Sequence, residues 1–168
     1  MHSITTLMFA ALLLACTPMS WAQEASREDA TQVQAGTPPP GFNAALAERV
    51  GADDHGMRAY VLVVLKTGPK RVPDGDARKA MFAGHFANME RLSKAGKLAL
   101  AGPFSEDPDG WRGLFVLATD DLEEARRLVA SDPVIVNGEM VAEYHRWYGS
   151  AATMLVGEWH ERIARKAL

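Results

Sequence analysis

The sequence predicts an α+β fold: a four-stranded antiparallel sheet with two helices on one face and an extra helix at the C-terminal end. Three observations predict it. Two segments carry apolar residues at helical spacing, four shorter ones are dense in strand-favouring residues, and Gly-Pro and Asp-Pro pairs punctuate them into the order β-α-β-β-α-β.

Met57 to Leu65 is rich in valine and leucine and is closed by Gly68-Pro69, which predicts the first strand. From Ala77 to Ala95, Met81, Phe82, Phe86, Met89 and Leu92 recur at helical spacing, and Gly96 supplies the stop. Lys97 to Gly102 reads as the second strand. Glu106-Asp107-Pro108-Asp109-Gly110 is turn chemistry and Trp111 to Ala118 beyond it reads as the third strand, so the two are expected to form a hairpin. Thr119 or Asp120 is the expected cap of a helix from about Leu122 to Ala130. Its Glu123 and Glu124 lie in the first turn and Arg126 and Arg127 near the end, where the helix dipole favours them. Asp132-Pro133 stops that helix, and Met140 to Tyr148 supplies the fourth strand.

This order is the split βαβ, or ferredoxin-like, arrangement. Successive residues are apolar in Ala59 to Leu65 and in Leu114 to Leu117, so both faces of the sheet are expected to be covered, and two helices cover only one. A second copy packed face to face would cover the other, giving a homodimer. The alternative cover is the C-terminal segment, residues 150–168. There Ala152, Leu155, Val156, Trp159 and Ile163 form a stripe opposite Glu158, Glu161, Arg162 and Arg165.

Leu7 to Ala15 is an apolar run too short to span a bilayer and is followed by Ser20-Trp21-Ala22. Residues 1–22 therefore read as an export signal cleaved after Ala22, for a periplasmic or secreted protein. The only cysteine, Cys16, follows Leu13-Leu14-Ala15, which imperfectly resembles a lipoprotein processing site. Lipidation there is the alternative, and the one route by which a membrane enters the reading. Cleavage after Ala22 leaves no thiol and so no disulfide. Residues 23–56, with Gly36-Thr37-Pro38-Pro39-Pro40-Gly41, read as a disordered linker containing one short helix from Phe42 to Val50. The domain proper is residues 57–149.

With 168 residues and a net charge of -3 spread among interspersed charges, the chain has room for one domain and no basic field; nucleic acid is not an expected partner. Phosphate loops, a nucleophile elbow and dinucleotide glycine fingerprints are absent. The histidines are far apart and no cysteine cluster exists, so no metal and no cofactor are expected.

Chemistry concentrates on His85, three residues after Phe82 and four before Met89, so that on a helix its ring points with core side chains. Two readings stay open. It is a core-edge histidine satisfied by a backbone carbonyl, or a proton-transfer group, since imidazole titrates near neutrality. Asp132 is likewise either a helix-stop residue or a carboxylate that orients the imidazole. Asp107 and Asp109 read as turn residues, Trp111 and Arg112 as a strand start that could line a pocket. His145, alternating with Glu143 and Trp147, reads as a binding surface or rim, and His160 lies on the polar side of the last helix.

His85, followed eleven residues on by Gly96-Lys97-Leu98-Ala99-Leu100-Ala101-Gly102-Pro103, then Gly113, Glu124-Ala125 and Asp132-Pro133, resembles the YCII-related family from about Arg58 to Tyr148. The resemblance implies a dimeric α+β barrel of ferredoxin-like protomers, with an active-site histidine and aspartate that fall on His85 and Asp132. A few relatives are dehydrochlorinase or isomerase-like enzymes acting on oxidised aromatic compounds by acid–base chemistry without a metal. This sequence departs from the family pattern at Phe82, where many members have an arginine, which counts against an anionic substrate. The export signal and C-terminal helix are further departures. The expected function is that of an exported acid–base enzyme of lyase or isomerase type, acting on a small organic molecule through His85 and Asp132. The alternatives are a non-catalytic small-ligand-binding or assembly dimer, and a haem-binding barrel with a helical histidine.

Overall fold

The computed structural model describes residues 38–166; the expected export signal, Cys16 and the linker up to residue 37 lie outside the described residues. Contacts divide the chain into residues 1–42 and 43–168. In the first unit, Pro38–Phe42 form a turn closed by the Phe42 N–H donating to the Pro39 carbonyl.

The second unit opens with α1 (Ala44–Val50), inside the stretch read as a linker and at the place expected for its short helix. The Asn43 side chain accepts the Leu46 N–H, and Gly51 ends the helix at φ +65°, a conformation that glycine adopts without strain.

The sheet is built on β1 (Met57–Thr67), which pairs along its whole length with β4 (Met140–Ser150) and on its other edge with β3 (Trp111–Leu117); β2 (Leu98–Pro103) pairs with the outside of β3. The order is β2-β3-β1-β4 and every pairing is antiparallel. With α2 (Asp76–Lys94) and α3 (Leu122–Ala130) as the crossovers, this is the ferredoxin-like α+β fold. The main core lies between helices and sheet. Met81, Leu92, Ala125 and Val129 pack there with Val61, Val63, Leu65, Phe115 and Leu117, each large side chain contributing about 1.5–3 kcal/mol by burial.

Two local expectations are corrected. Asp121, rather than Thr119 or Asp120, caps α3 by accepting the Glu123 N–H, because the Thr119 hydroxyl is committed to Glu124 Oε2 at 2.6 Å. Asp132-Pro133 does more than stop α3, since it opens a one-turn helix, α4 (Pro133–Val136), with proline at the first helical position.

The opposite sheet face carries a smaller buried cluster of Tyr60, Ala99 and Val116, against which Met154 packs. Met154 belongs to a 3₁₀ turn (Ala151–Leu155) directly after β4, so the C-terminal segment covers part of this face. The expected continuous C-terminal helix is this turn followed by α5 (Val156–Ile163), because β4 runs on to Ser150, whose side chain caps the turn. The apolar stripe of α5 points outward, with Trp159 55% and Ile163 78% exposed.

Candidate active site

α2 lies on the sheet with Met81, His85, Asn88 and Leu92 buried. Helical spacing places these residues on one flank, and two of the four are polar. α4 meets this flank at Gly84, where an added Cβ would lie 2.9 Å from Pro133 Cγ. Glycine at 84 lets α4 come close enough to bring Asp132 to His85.

His85 is 7% exposed and Asp132 0%. His85 Nδ1 lies 2.9 Å from both carboxylate oxygens of Asp132. A carboxylate only accepts, so Nδ1 carries the hydrogen and the lone pair of the neutral ring is on Nε2. Asp132 Oδ1 also accepts the Val134 N–H at 3.1 Å, and Oδ2 accepts from Asn88 Nδ2 at 3.0 Å. Asn88 Oδ1 in turn accepts from Arg91 Nη2 at 2.7 Å. Nε2 takes part in none of these bonds. Among the described residues no fully buried side-chain nitrogen or oxygen lacks a partner, so Nε2 is not sealed from the surface.

Aromatic rings frame the imidazole: Phe115 is stacked at 5.9 Å, Phe82 edge-on at 6.2 Å, and Phe86 tilted at 5.5 Å. Phe86 is half exposed, which puts an apolar surface beside the histidine. The assembly supplies one hydrogen-bonded, oriented imidazole with a free nitrogen in apolar surroundings. That is what proton abstraction and return at one position require.

A second buried carboxylate was not legible as a site. The Glu139 side chain is 1% exposed, bonded to Arg78 Nη2 at 2.7 Å and to the Val72 N–H at 2.7 Å, with Arg112 Nη1 at 3.6 Å. The Arg78 guanidinium holds the Glu139 carboxyl below the usual carboxylate range. Arg78 also lies 5.0 Å over the Phe82 ring, so this clamp adjoins the aromatic frame of His85. In sequence Glu139 follows Gly138 and looks like any turn residue. Only the fold shows Arg78, Arg112 and the Val72 N–H converging on it.

The other candidates lie elsewhere. Asp107 accepts the Asp109 and Trp111 N–H groups within its turn, and Arg112 faces Glu139. His145 is exposed on β4 and Glu143 pairs with Lys66 at 3.0 Å, while Trp147 packs on Tyr60 at 5.3 Å. His160 borders a cleft of about 390 Å³ along Trp159 and Ile163. A further cleft of about 340 Å³ is lined by Gly51, Arg58, Thr119 and Asp120. Neither cleft is lined by His85 or Asp132.

Residues 59–147 match the YCII-related domain. The chain is 34% identical over 65 residues to the uncharacterized protein YjpA of Bacillus subtilis (strain 168), a match covering 39% of this chain and 73% of that protein. Among solved structures it is similar to the 5-chloro-2-hydroxyhydroquinone dehydrochlorinase TftG of Burkholderia phenoliruptrix AC1100, determined in complex with 2,5-dihydroxybenzoquinone. That match has 22% identity and a TM-score of 0.37, covering 52% of this chain and 92% of that one. The family match spans more than half of the sequence and contains both His85 and Asp132: the chain belongs to the YCII-related domain family.

Proposed function

We propose that this protein is an exported acid–base enzyme of lyase or isomerase type, with a small organic substrate. His85 Nε2 is the proton acceptor and donor, and Asp132 is its orienting partner. The supporting observation is the buried Nδ1–carboxylate contact, at 2.9 Å to both oxygens, which leaves Nε2 as the free nitrogen. In such a reaction a C–H beside a carbonyl gives its proton to Nε2 and its electron pair moves onto the carbonyl oxygen. The pair then returns either to expel a leaving group with its electrons, or to take the proton back at a different carbon.

Oxidised aromatic compounds, the class on which some relatives of the family act, are the first panel to assay. His85→Ala should lower turnover of any substrate found by roughly 10²–10⁴-fold. Unchanged turnover in a folded variant would remove His85 from the mechanism. A ligand retained in native mass spectrometry without turnover would point to a binding role instead. A Soret band on haem titration, lost in His85→Ala, would point to haem binding.

The proposal includes two further parts. The protein is a homodimer through the uncovered part of the second sheet face, where Leu100 and Val141 are exposed. Sedimentation of the wild type against Val141→Glu tests this, and a monomeric wild type rejects it. The protein is also exported, with Gln23 as the first mature residue; intact mass from secreting cells tests this, and a lipid-modified Cys16 would replace it with an anchored form.

A further inference from the structure

We infer that Asn88 and Arg91 are positioning residues of the His85 site: together they hold the Asp132 carboxylate square to the imidazole, and so fix which ring nitrogen is free. The inference rests on the reading of His85 and Asp132 as a working pair.

The contact between the two side chains is symmetric. His85 Nδ1 is 2.9 Å from both Oδ1 and Oδ2, so one hydrogen is shared between two acceptors. A shared hydrogen leaves a carboxylate free to swing until one oxygen takes the whole bond. Here each oxygen is restrained from behind, Oδ1 by the Val134 N–H at 3.1 Å and Oδ2 by Asn88 Nδ2 at 3.0 Å. The first restraint is backbone and comes with the capping of α4. The second is a side-chain choice.

That choice is chemically narrow. Asp132 can only accept and Arg91 can only donate, so a side chain between them must donate at one end and accept at the other. The Asn88 amide does both, taking 2.7 Å from Arg91 Nη2 and giving 3.0 Å to Asp132 Oδ2. A carboxylate at 88 would set like charges against each other. An apolar residue would leave Oδ2 with only its share of the His85 hydrogen. His85, Asn88 and Arg91 are three residues apart along α2, so one helix flank carries the whole path from a surface cation to the imidazole. Asn88 is itself only 8% exposed, which is unusual for an amide without such partners.

The test is ¹⁵N NMR of the full chain with labelled histidine, read at a pH where the His85 ring is neutral. The wild type should show one protonated nitrogen, Nδ1, with slow hydrogen exchange, and one unprotonated nitrogen, Nε2. In Asn88→Ala the two ring shifts should approach each other as tautomers mix, and the Nδ1 proton should exchange roughly tenfold faster, as expected for loss of one hydrogen bond. Arg91→Ala should move both readings the same way, and Arg91→Lys, which keeps a donor, should restore them. Leu92→Val, a packing change on the same helix, should leave them in place. The inference is overturned if Asn88→Ala keeps wild-type shifts and exchange with an intact core, or if Leu92→Val moves them as far. Should Asn88→Ala not fold, the exposed Arg91→Ala and Arg91→Lys pair decides alone, and equal spectra for the two overturn it. No turnover is read. A held tautomer in a protein without activity would therefore count against the enzyme reading and leave the positioning role standing.

Discussion

Gly84 and Pro133 meet so closely that a methyl group added to the glycine would lie 2.9 Å from the proline Cγ. The contact joins the middle of α2 to the first residue of α4, and the residue immediately before that proline is Asp132. The approach of these two helices therefore sets the His85–Asp132 distance.

Gly84→Ala tests that link. Alanine would favour a helix interior by about 1 kcal/mol over glycine, whereas overpacking costs about 1–3 kcal/mol, so the clash should prevail. We expect a net loss of roughly 1 kcal/mol in denaturant unfolding, together with weakened protection of the His85 Nδ1 proton. A more stable variant with an unchanged proton would show that α4 moves aside freely.

Asp132→Ala and Asp132→Asn should separate packing from hydrogen bonding. Alanine leaves three donors, His85 Nδ1, Asn88 Nδ2 and the Val134 N–H, without their acceptor in a buried setting. An unsatisfied buried donor costs about 1–3 kcal/mol. Asparagine keeps one oxygen for the α4 cap, so its unfolding midpoint should fall less. Equal midpoints would contradict this ordering.

The Glu139–Arg78 clamp gives the acid limb of stability a definite sign. The folded Glu139 carboxyl titrates below its ordinary value because Arg78 bonds to it. On acidification the unfolded chain takes up this proton first, near about pH 4.3. The contribution is thus fully present above that pH and is lost as pH falls through the folded value. In Glu139→Gln the decline of stability below about pH 4.3 should be shallower. Arg78→Met should be less stable near neutrality than Glu139→Gln, because it leaves a buried carboxylate with the Val72 N–H and, as its one remaining cation, the more distant Arg112.

The C-terminal segment should divide at Leu155. Met154 packs on the Tyr60 cluster, whereas Trp159 and Ile163 of α5 are exposed. A chain ending after Leu155 should keep its thermal midpoint within the usual small range of surface changes. Met154→Asp should lower it by about 1–3 kcal/mol equivalent, since the charge replaces an apolar contact. The reverse order would mean that α5 holds the sheet.

Local patterns carried most of the fold. The apolar runs at β1 and β3, the spacing of Met81, Phe82 and Leu92, and the Asp107–Gly110 turn chemistry are each confined to short windows, where periodicity and turn preference act. The inward aim of His85 was legible for the same reason. Its contact with Asp132 was not, because it spans a sequence separation of 47 and depends on space left by Gly84. Asn88 was missed because a polar residue on a buried stripe looks like an interruption until its acceptor is placed. Glu139 was missed because its partners, Arg78 and Arg112, come from two other elements. The cap of α3 slipped by one or two residues because Thr119, Asp120 and Asp121 all have the chemistry, and tertiary contacts chose among them.

Asp132 lies just past the Ser131 that closes α3, caps α4 and accepts the hydrogen bond of the His85 imidazole. Polar groups placed for chemistry commonly weaken a fold, and protein engineers gain robustness by replacing them at the expense of activity. Under the proposed pairing of His85 with Asp132, the two demands coincide at this position. A stabilising search across the chain should therefore leave Asp132 untouched without being told what the protein does, and position 132 should tolerate change no better in a member that has lost its activity than in one that has kept it.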